Sequence, residues 1–256
     1  MRIAFCISGH MRNYQKLLDN YYMFKQHYSQ FGIIDTFVCT WDKLNTNKSW
    51  SAAHNLNATG SSDMIVSSNQ IKKDYETNHV RILKDDFFSS TYSPFNYTDM
   101  TDQEYNFDDR AIQNDVLHCF KQFGLIYYCN ILKKEVEYSS NLLYDFVFRL
   151  RPDMQYNLNN LLNLHQFTDC SKIYTSHYWE KGEMGDLIRF AFGGSKIMNK
   201  YANSYLRVSQ IFDQGIFGDA EKISFLCLSN HIGSDNIKFV PEVGRLVAEN
   251  NPNDLR

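Results

Sequence analysis

The chain has 256 residues, 43% hydrophobic and 21% charged, values ordinary for a globular protein with room for one or two domains. A net charge of −3 excludes a global attraction to nucleic acid or anionic membrane, so any anion recognition must come from locally placed arginines and lysines. No apolar run approaches the ~20 residues that span a bilayer, and the six cysteines, with no CxxC pair, read as core thiols rather than a zinc site or a disulfide framework.

Residues 3–8 form a short apolar run that stops at Gly9, the pattern of a buried parallel strand. A helix is expected over 14–31, with Leu17, Leu18, Tyr21 and Phe24 facing inward and Gly32 as its stop. Residues 35–41 read as a second strand, and this strand–helix–strand opening is a βαβ signal. Residues 43–79 are polar and aperiodic, which predicts an insertion or lid. A short strand is expected at 80–83 and a long helix over 110–137, with Ile112, Val116, Cys119, Phe120, Phe123 and Tyr127 at helical spacing. Strands follow at 144–151, 173–176 and 187–193. Helices come next at 195–212, with Ser195 as its N-cap, and at 220–230, and a last strand at 237–240. Without an internal repeat or a linker rich in Pro, Gly or Ser, residues 1–256 read as one α/β domain.

Chemistry concentrates in Arg149-Leu-Arg-Pro-Asp153. Side chains alternate along an extended chain, so Arg149, Arg151 and Asp153 share one face while Phe146, Phe148 and Leu150 take the other. Pro152 biases Arg151 toward extended geometry and carries the alternation through to Asp153. Two readings stand: a strand-end ion pair between Asp153 and a neighbouring arginine, or a site for a phosphorylated ligand with or without a divalent metal. The turn Ser8-Gly9-His10-Met11-Arg12 ends the first strand on the same predicted edge, where open α/β sheets bind ligands. Gly9 permits the turn, Arg12 and a helix N-terminus favour an anion, and His10 and Trp41 are further contact candidates. Neither GxGxxG nor GxxxxGK[ST] occurs, so the dinucleotide-dehydrogenase and P-loop readings lose their support. Asp186 lies just before a strand, Glu221 opens a helix, and Arg245 is a late phosphate candidate.

The order of five segments adds to this. They are Ile7-Ser-Gly-His-Met-Arg12, Asp35-Thr-Phe-Val-Cys-Thr-Trp-Asp42, Cys129-Asn-Ile-Leu-Lys-Lys-Glu135, Tyr144-Asp-Phe-Val-Phe-Arg-Leu-Arg-Pro-Asp153 and Phe190-Ala-Phe-Gly-Gly-Ser-Lys-Ile-Met198. The series resembles a group of small glycosyltransferases with a GT-A-like fold, found in bacterial surface-polysaccharide loci and large DNA viruses. The resemblance runs from Met1 to about Arg245, and Arg-Leu-Arg-Pro-Asp is its most specific part.

It implies a Rossmann-like, mostly parallel central sheet flanked by helices, a nucleotide-sugar donor, a glycan acceptor, and a cytoplasmic setting in a bacterium or an infected host cell. On that likeness Ser8, Gly9, His10, Arg12, Trp41, Arg149, Arg151, Asp153 and Arg245 bind the donor. Asp153 stands where GT-A enzymes keep a DxD motif for Mn²⁺ or Mg²⁺. The first Asp of that motif is here Arg151, which opens the prospect that arginines take part of the metal's role. Asp186 and Glu221 are the candidates for acceptor binding or deprotonation. Asp153→Asn is expected to lower transfer strongly and leave the fold intact. A non-catalytic binding protein on the same fold is the alternative reading, and a methyltransferase-like enzyme is disfavoured because the first turn lacks a Gly-rich pattern.

Overall fold

A computed structural model describes residues 1–12, 14–43, 65–84, 109–176, 187–216 and 220–246, and the side chains at 109–118, 221 and 245–246 lie outside the description. The opening unit is β1 (Arg2–Ser8), α1 (Tyr14–Ser29) and β2 (Ile33–Trp41). It continues through α2 (Ser68–Asp74), β3 (His79–Leu83) and α3 (Asp109–Ser140) to β4 (Phe146–Leu150). Beyond it come β5 (Met154–Tyr156), β6 (Ile173–Ser176) and β7 (Ala191–Gly193). The helices α4 (Ser195–Ala202), α5 (Val208–Asp213) and α6 (Ala220–Ile232) precede β8 (Ile237–Val240) and β9 (Gly244–Leu246).

Among the described residues seven strands form one sheet in the order β3-β2-β1-β4-β7-β6-β8. Only β7 runs against its neighbours, so the expected mostly parallel sheet flanked by helices is the one observed. β1 and β4 lie side by side in parallel register, with Cys6 opposite Arg149 and Ile7 opposite Leu150. Their side chains divide between two cores. Ile3, Phe5, Ile7, Phe146 and Phe148 pack beneath α1, whose inner face is Tyr14, Leu17, Tyr21, Phe24 and Tyr28. Ala4, Cys6 and Val147 pack beneath α3 through Cys119, Phe120, Phe123, Ile126 and Cys129. The aromatic wealth of the sequence is thus core material. Phe148 and Phe192, for example, stack across β4 and β7 with centroids 5.1 Å apart, and each buried Phe contributes roughly 1.5–3 kcal/mol.

Several expectations change. Residues 65–79 of the supposed insertion carry α2 and lead into β3, while 44–64 lie outside the described residues. The N-cap of α2 is Ser67, whose hydroxyl accepts from Gln70 N. The single helix expected over 195–212 is broken by a 3-10 segment at Asn203–Arg207. The strand expected over 187–193 shrinks to β7, because Leu187 and Ile188 are buried in a turn rather than in the sheet. A small antiparallel ribbon of β5 and β9, with Gln155 opposite Arg245, has no counterpart in the sequence reading.

Ser195 is not the cap of α4. Gly194 occupies that position, and Ser195 turns into a buried polar cluster instead. There Lys133 Nζ donates to Glu137 Oε2 at 2.8 Å and to Ser195 Oγ at 2.6 Å. Ser195 Oγ in turn donates to Glu137 Oε1, which also accepts the backbone N–H of Tyr144 at 3.1 Å. Lys133 is fully buried and Glu137 nearly so. Every charged group there has an opposite partner, the condition under which buried charge is tolerated.

Candidate functional site

α1 follows β1 on one face of the sheet and α3 precedes β4 on the other, so the chain reverses its winding between β1 and β4. The region beyond the C-terminal strand ends at such a switch point is the usual ligand position in open α/β sheets. The residues there are Ser8 with the turn to Arg12, and Arg149 with the turn to Asp153. The two strongest sequence motifs therefore meet at one place.

The turns are pressed together. Gly9 has φ +147°, in the region that favours glycine, and a side-chain carbon on it would stand 3.0 Å from Pro152 Cδ. Gly9 N donates to Cys39 O at 3.4 Å, and Thr40 Oγ1 donates to Gly9 O at 2.8 Å, fixing the turn to the end of β2. That packing brings Arg12 Nη1 to 3.6 Å from Asp153 Oδ2.

Asp153 is 2% exposed and accepts a bidentate pair from Arg151, Nε to Oδ1 at 2.8 Å and Nη2 to Oδ2 at 2.7 Å. Burial alone would raise its carboxyl. Arg151, with help from Arg12 and His10, outweighs burial and holds the group well below the usual carboxylate range. The strand-end ion pair foreseen as one reading is therefore present, between Arg151 and Asp153.

Arg149 has a different fate. It is 2% exposed on the α3 face, and one guanidinium nitrogen donates to Leu150 O. Its Nε is buried, and among the described residues it has neither a hydrogen-bond acceptor nor a carboxylate partner. Burial lowers its pKa, with the neighbouring Arg151 adding to the effect, yet arginine's ordinary value leaves it charged. Ser8, fully buried on the same face as Cys6 and hence as Arg149, also has a hydroxyl with no partner among the described residues. An unpaired buried cation beside an unpaired buried hydroxyl costs several kcal/mol. An anion placed against these groups would relieve that cost.

The other candidates divide. Trp41 is 1% exposed in the core, its ring 6.3 Å from His10 and 5.8 Å from Lys121 Nζ, rather than open at the rim as a platform for a base or sugar. Arg245 lies on β9, opposite Gln155 and two residues beyond Val243, but its side chain is outside the description. Asp186 and the side chain of Glu221 also lie outside it. Sequence reasoning missed the Lys133–Glu137–Ser195 cluster. The i,i+4 spacing of Lys133 and Glu137 was the available signal, and it ordinarily marks a solvated helix face.

The donor set does not fit the metal that a DxD-like position implies. Mg²⁺ and Mn²⁺ need carboxylate oxygens free to approach to about 2.0–2.1 Å, and both oxygens of Asp153 already hold Arg151. Among the described residues no group of three His, Cys, Asp or Glu side chains is placed to hold a cation. A divalent ion ~4 Å from a guanidinium would also be repelled by roughly 8 kcal/mol at an effective dielectric of ~20.

Fold and site together define a class: an open, mostly parallel α/β sheet with an arginine-rich cluster at its switch point. No family model matches the chain, and no curated protein does. Among solved structures it is similar to galactosyltransferase LgtC in complex with donor and acceptor sugar analogs, at 12% identity and a TM-score of 0.36, over 93% of this chain and 73% of that one. An active-site mutant of LgtC aligns with the same identity and TM-score over 93% and 72% of the two chains. A TM-score that low gives the likeness no weight in assigning a function. Among the described residues no helix is long and apolar enough to cross a membrane.

Proposed function

We propose that the protein is a glycosyltransferase that moves a hexose or pentose from a nucleoside-diphosphate sugar to a glycan acceptor. The observation that carries this is Arg149, buried at the switch point with an Nε that has no acceptor among the described residues, together with the Ser8 hydroxyl, likewise without a partner there. Departure of a nucleoside diphosphate builds negative charge on its phosphates, and fixed cations in a water-poor site stabilise that charge most as it develops. The resemblance of Arg149-Leu-Arg-Pro-Asp153 and its companion segments to small GT-A-like transferases supports the same reading. With that resemblance go a role in polysaccharide synthesis, a bacterial or viral source and a cytoplasmic setting. Asp186 and Glu221 stand, on sequence grounds, as candidates to bind or deprotonate the acceptor.

The second reading, a non-catalytic nucleotide-binding protein on the same fold, draws on the engagement of Asp153 by Arg151. Thermal-shift screening against a broad panel of nucleotide sugars tests both. One donor class is expected to raise the melting temperature, by an amount equivalent to ~2.7 kcal/mol at 100 times its Kd, and to be slowly hydrolysed. Binding without hydrolysis or transfer to any glycan selects the second reading. A panel in which nothing binds, with or without Mn²⁺, removes the nucleotide-sugar site.

A further inference from the structure

We infer that this site takes the donor diphosphate without a divalent cation, its charge met by guanidinium groups alone. This deepens the proposed function and rests on it.

Two arginines converge on one carboxylate, and a third lies buried on the adjoining strand. Arg151 is spent on Asp153 in a bidentate pair, Arg12 stands 3.6 Å from the same carboxylate, and Arg149 faces no carboxylate among the described residues. The cluster carries two more positive charges than negative ones, close to the charge of a diphosphate leaving group. A metal-dependent transferase presents the opposite sign. Its carboxylates are open, and the cation they hold makes the site positive. Here the one carboxylate at that position is neutralised from within the chain, so a cation would have to share oxygens already held by Arg151 and faced by Arg12.

The division of labour follows from the geometry. Asp153 acts as a positioning residue: it fixes Arg151 and draws in Arg12, while Gly9 lets the Ser8–Arg12 turn seat against Pro152. Arg12, with 21% of its side chain exposed, meets the anion at the rim. Arg149 Nε and Ser8 Oγ supply the deeper donors, in an environment where charge-assisted hydrogen bonds are strongest.

The test is titration calorimetry of the full chain with UDP and GDP, in EDTA and again in millimolar Mn²⁺. The nucleoside diphosphate that binds is expected to do so with Kd values agreeing within about threefold between the two conditions. In parallel, the electron paramagnetic resonance signal of free Mn²⁺ is expected to be the same for nucleotide alone and for nucleotide with protein. Tightening of about tenfold or more by Mn²⁺, or capture of Mn²⁺ by the protein–nucleotide complex, overturns the metal-free site and leaves the transferase reading standing. Absence of nucleotide binding under both conditions overturns the two together.

Discussion

Replacing Arg149 with methionine separates a residue kept for structure from one kept for a ligand. The substitution retains the length of the buried stem and deletes the charge. In the absence of ligand the protein loses one hydrogen bond, to Leu150 O, worth about 1 kcal/mol. It also sheds a buried guanidinium whose Nε has no acceptor among the described residues. Exchanging buried ionic groups for apolar ones of similar volume is neutral or stabilising by about 1–4 kcal/mol. The net expectation runs from about 1 kcal/mol less stable to about 3 kcal/mol more stable, so the melting temperature falls by at most about 4 °C or rises by up to ~12 °C at roughly 2–4 °C per kcal/mol. Nucleoside-diphosphate affinity moves the other way. Loss of a hydrogen bond to a charged group costs about 1.5–3 kcal/mol, a weakening of roughly 10–150-fold. Urea unfolding without ligand, paired with calorimetric titration of UDP and GDP, measures both. A variant destabilised by more than about 2 kcal/mol that still binds nucleotide at full strength would refute the reasoning, because Arg149 would then be a structural group.

Two further substitutions probe how the site is held. Gly9→Ala forces a side chain into φ +147° and against Pro152 Cδ. It is expected to cost about 1–3 kcal/mol and to weaken nucleotide binding by parting the two turns, both readable from the same titrations. Asp153→Asn is no longer expected to leave the fold intact, because it strands Arg151 in a buried position. The loss at neutral pH is expected to be about 3–5 kcal/mol. The folded-state pKa of Asp153 is depressed, so its contribution is complete above the unfolded value of about 3.9 and drains as pH falls toward the folded value. Urea midpoints at neutral and acid pH should therefore show the gap between native protein and variant narrowing toward acid. A gap that stays constant with pH would sever the link to this carboxylate.

The sheet was legible where apolar period and punctuation coincide. The strand expected at 237–240 is β8 itself, and α1 differs from its expectation only in ending two residues earlier. Errors arose where burial and periodicity part company. Leu187 and Ile188 are as buried as any strand residue yet sit in a turn, and an apolar run does not distinguish the two. The β5–β9 ribbon is three residues a side, too short for alternation to register. At the site, period two is expected to run through 144–151 and on to Asp153, but β4 covers only Phe146–Leu150 and the chain turns at Pro152 and Asp153. The alternation also left open which arginine would take the carboxylate. That choice belongs to the turn at Pro152, which lets Arg151 fold onto Asp153 while Arg149 stays on the ladder beside Cys6. Trp41 is a contact candidate at a strand end, where an aromatic is core more often than not, and core is what the structure makes it.

The Lys133–Glu137–Ser195 cluster lies at the other edge of the sheet, and its consequence is axial registry. α3 spans 32 residues, and apolar contacts alone would accept it slid along the sheet by a turn of ~5.4 Å. The cluster accepts one setting only: Glu137 must meet both the N–H of Tyr144, at the threshold of β4, and the hydroxyl that opens α4. Three elements are thereby indexed to one another at a single carboxylate. The helix that roofs Arg149 is fixed lengthwise from the far end of the molecule, so its position over the strand ends is set by a cluster at the opposite ends of those strands.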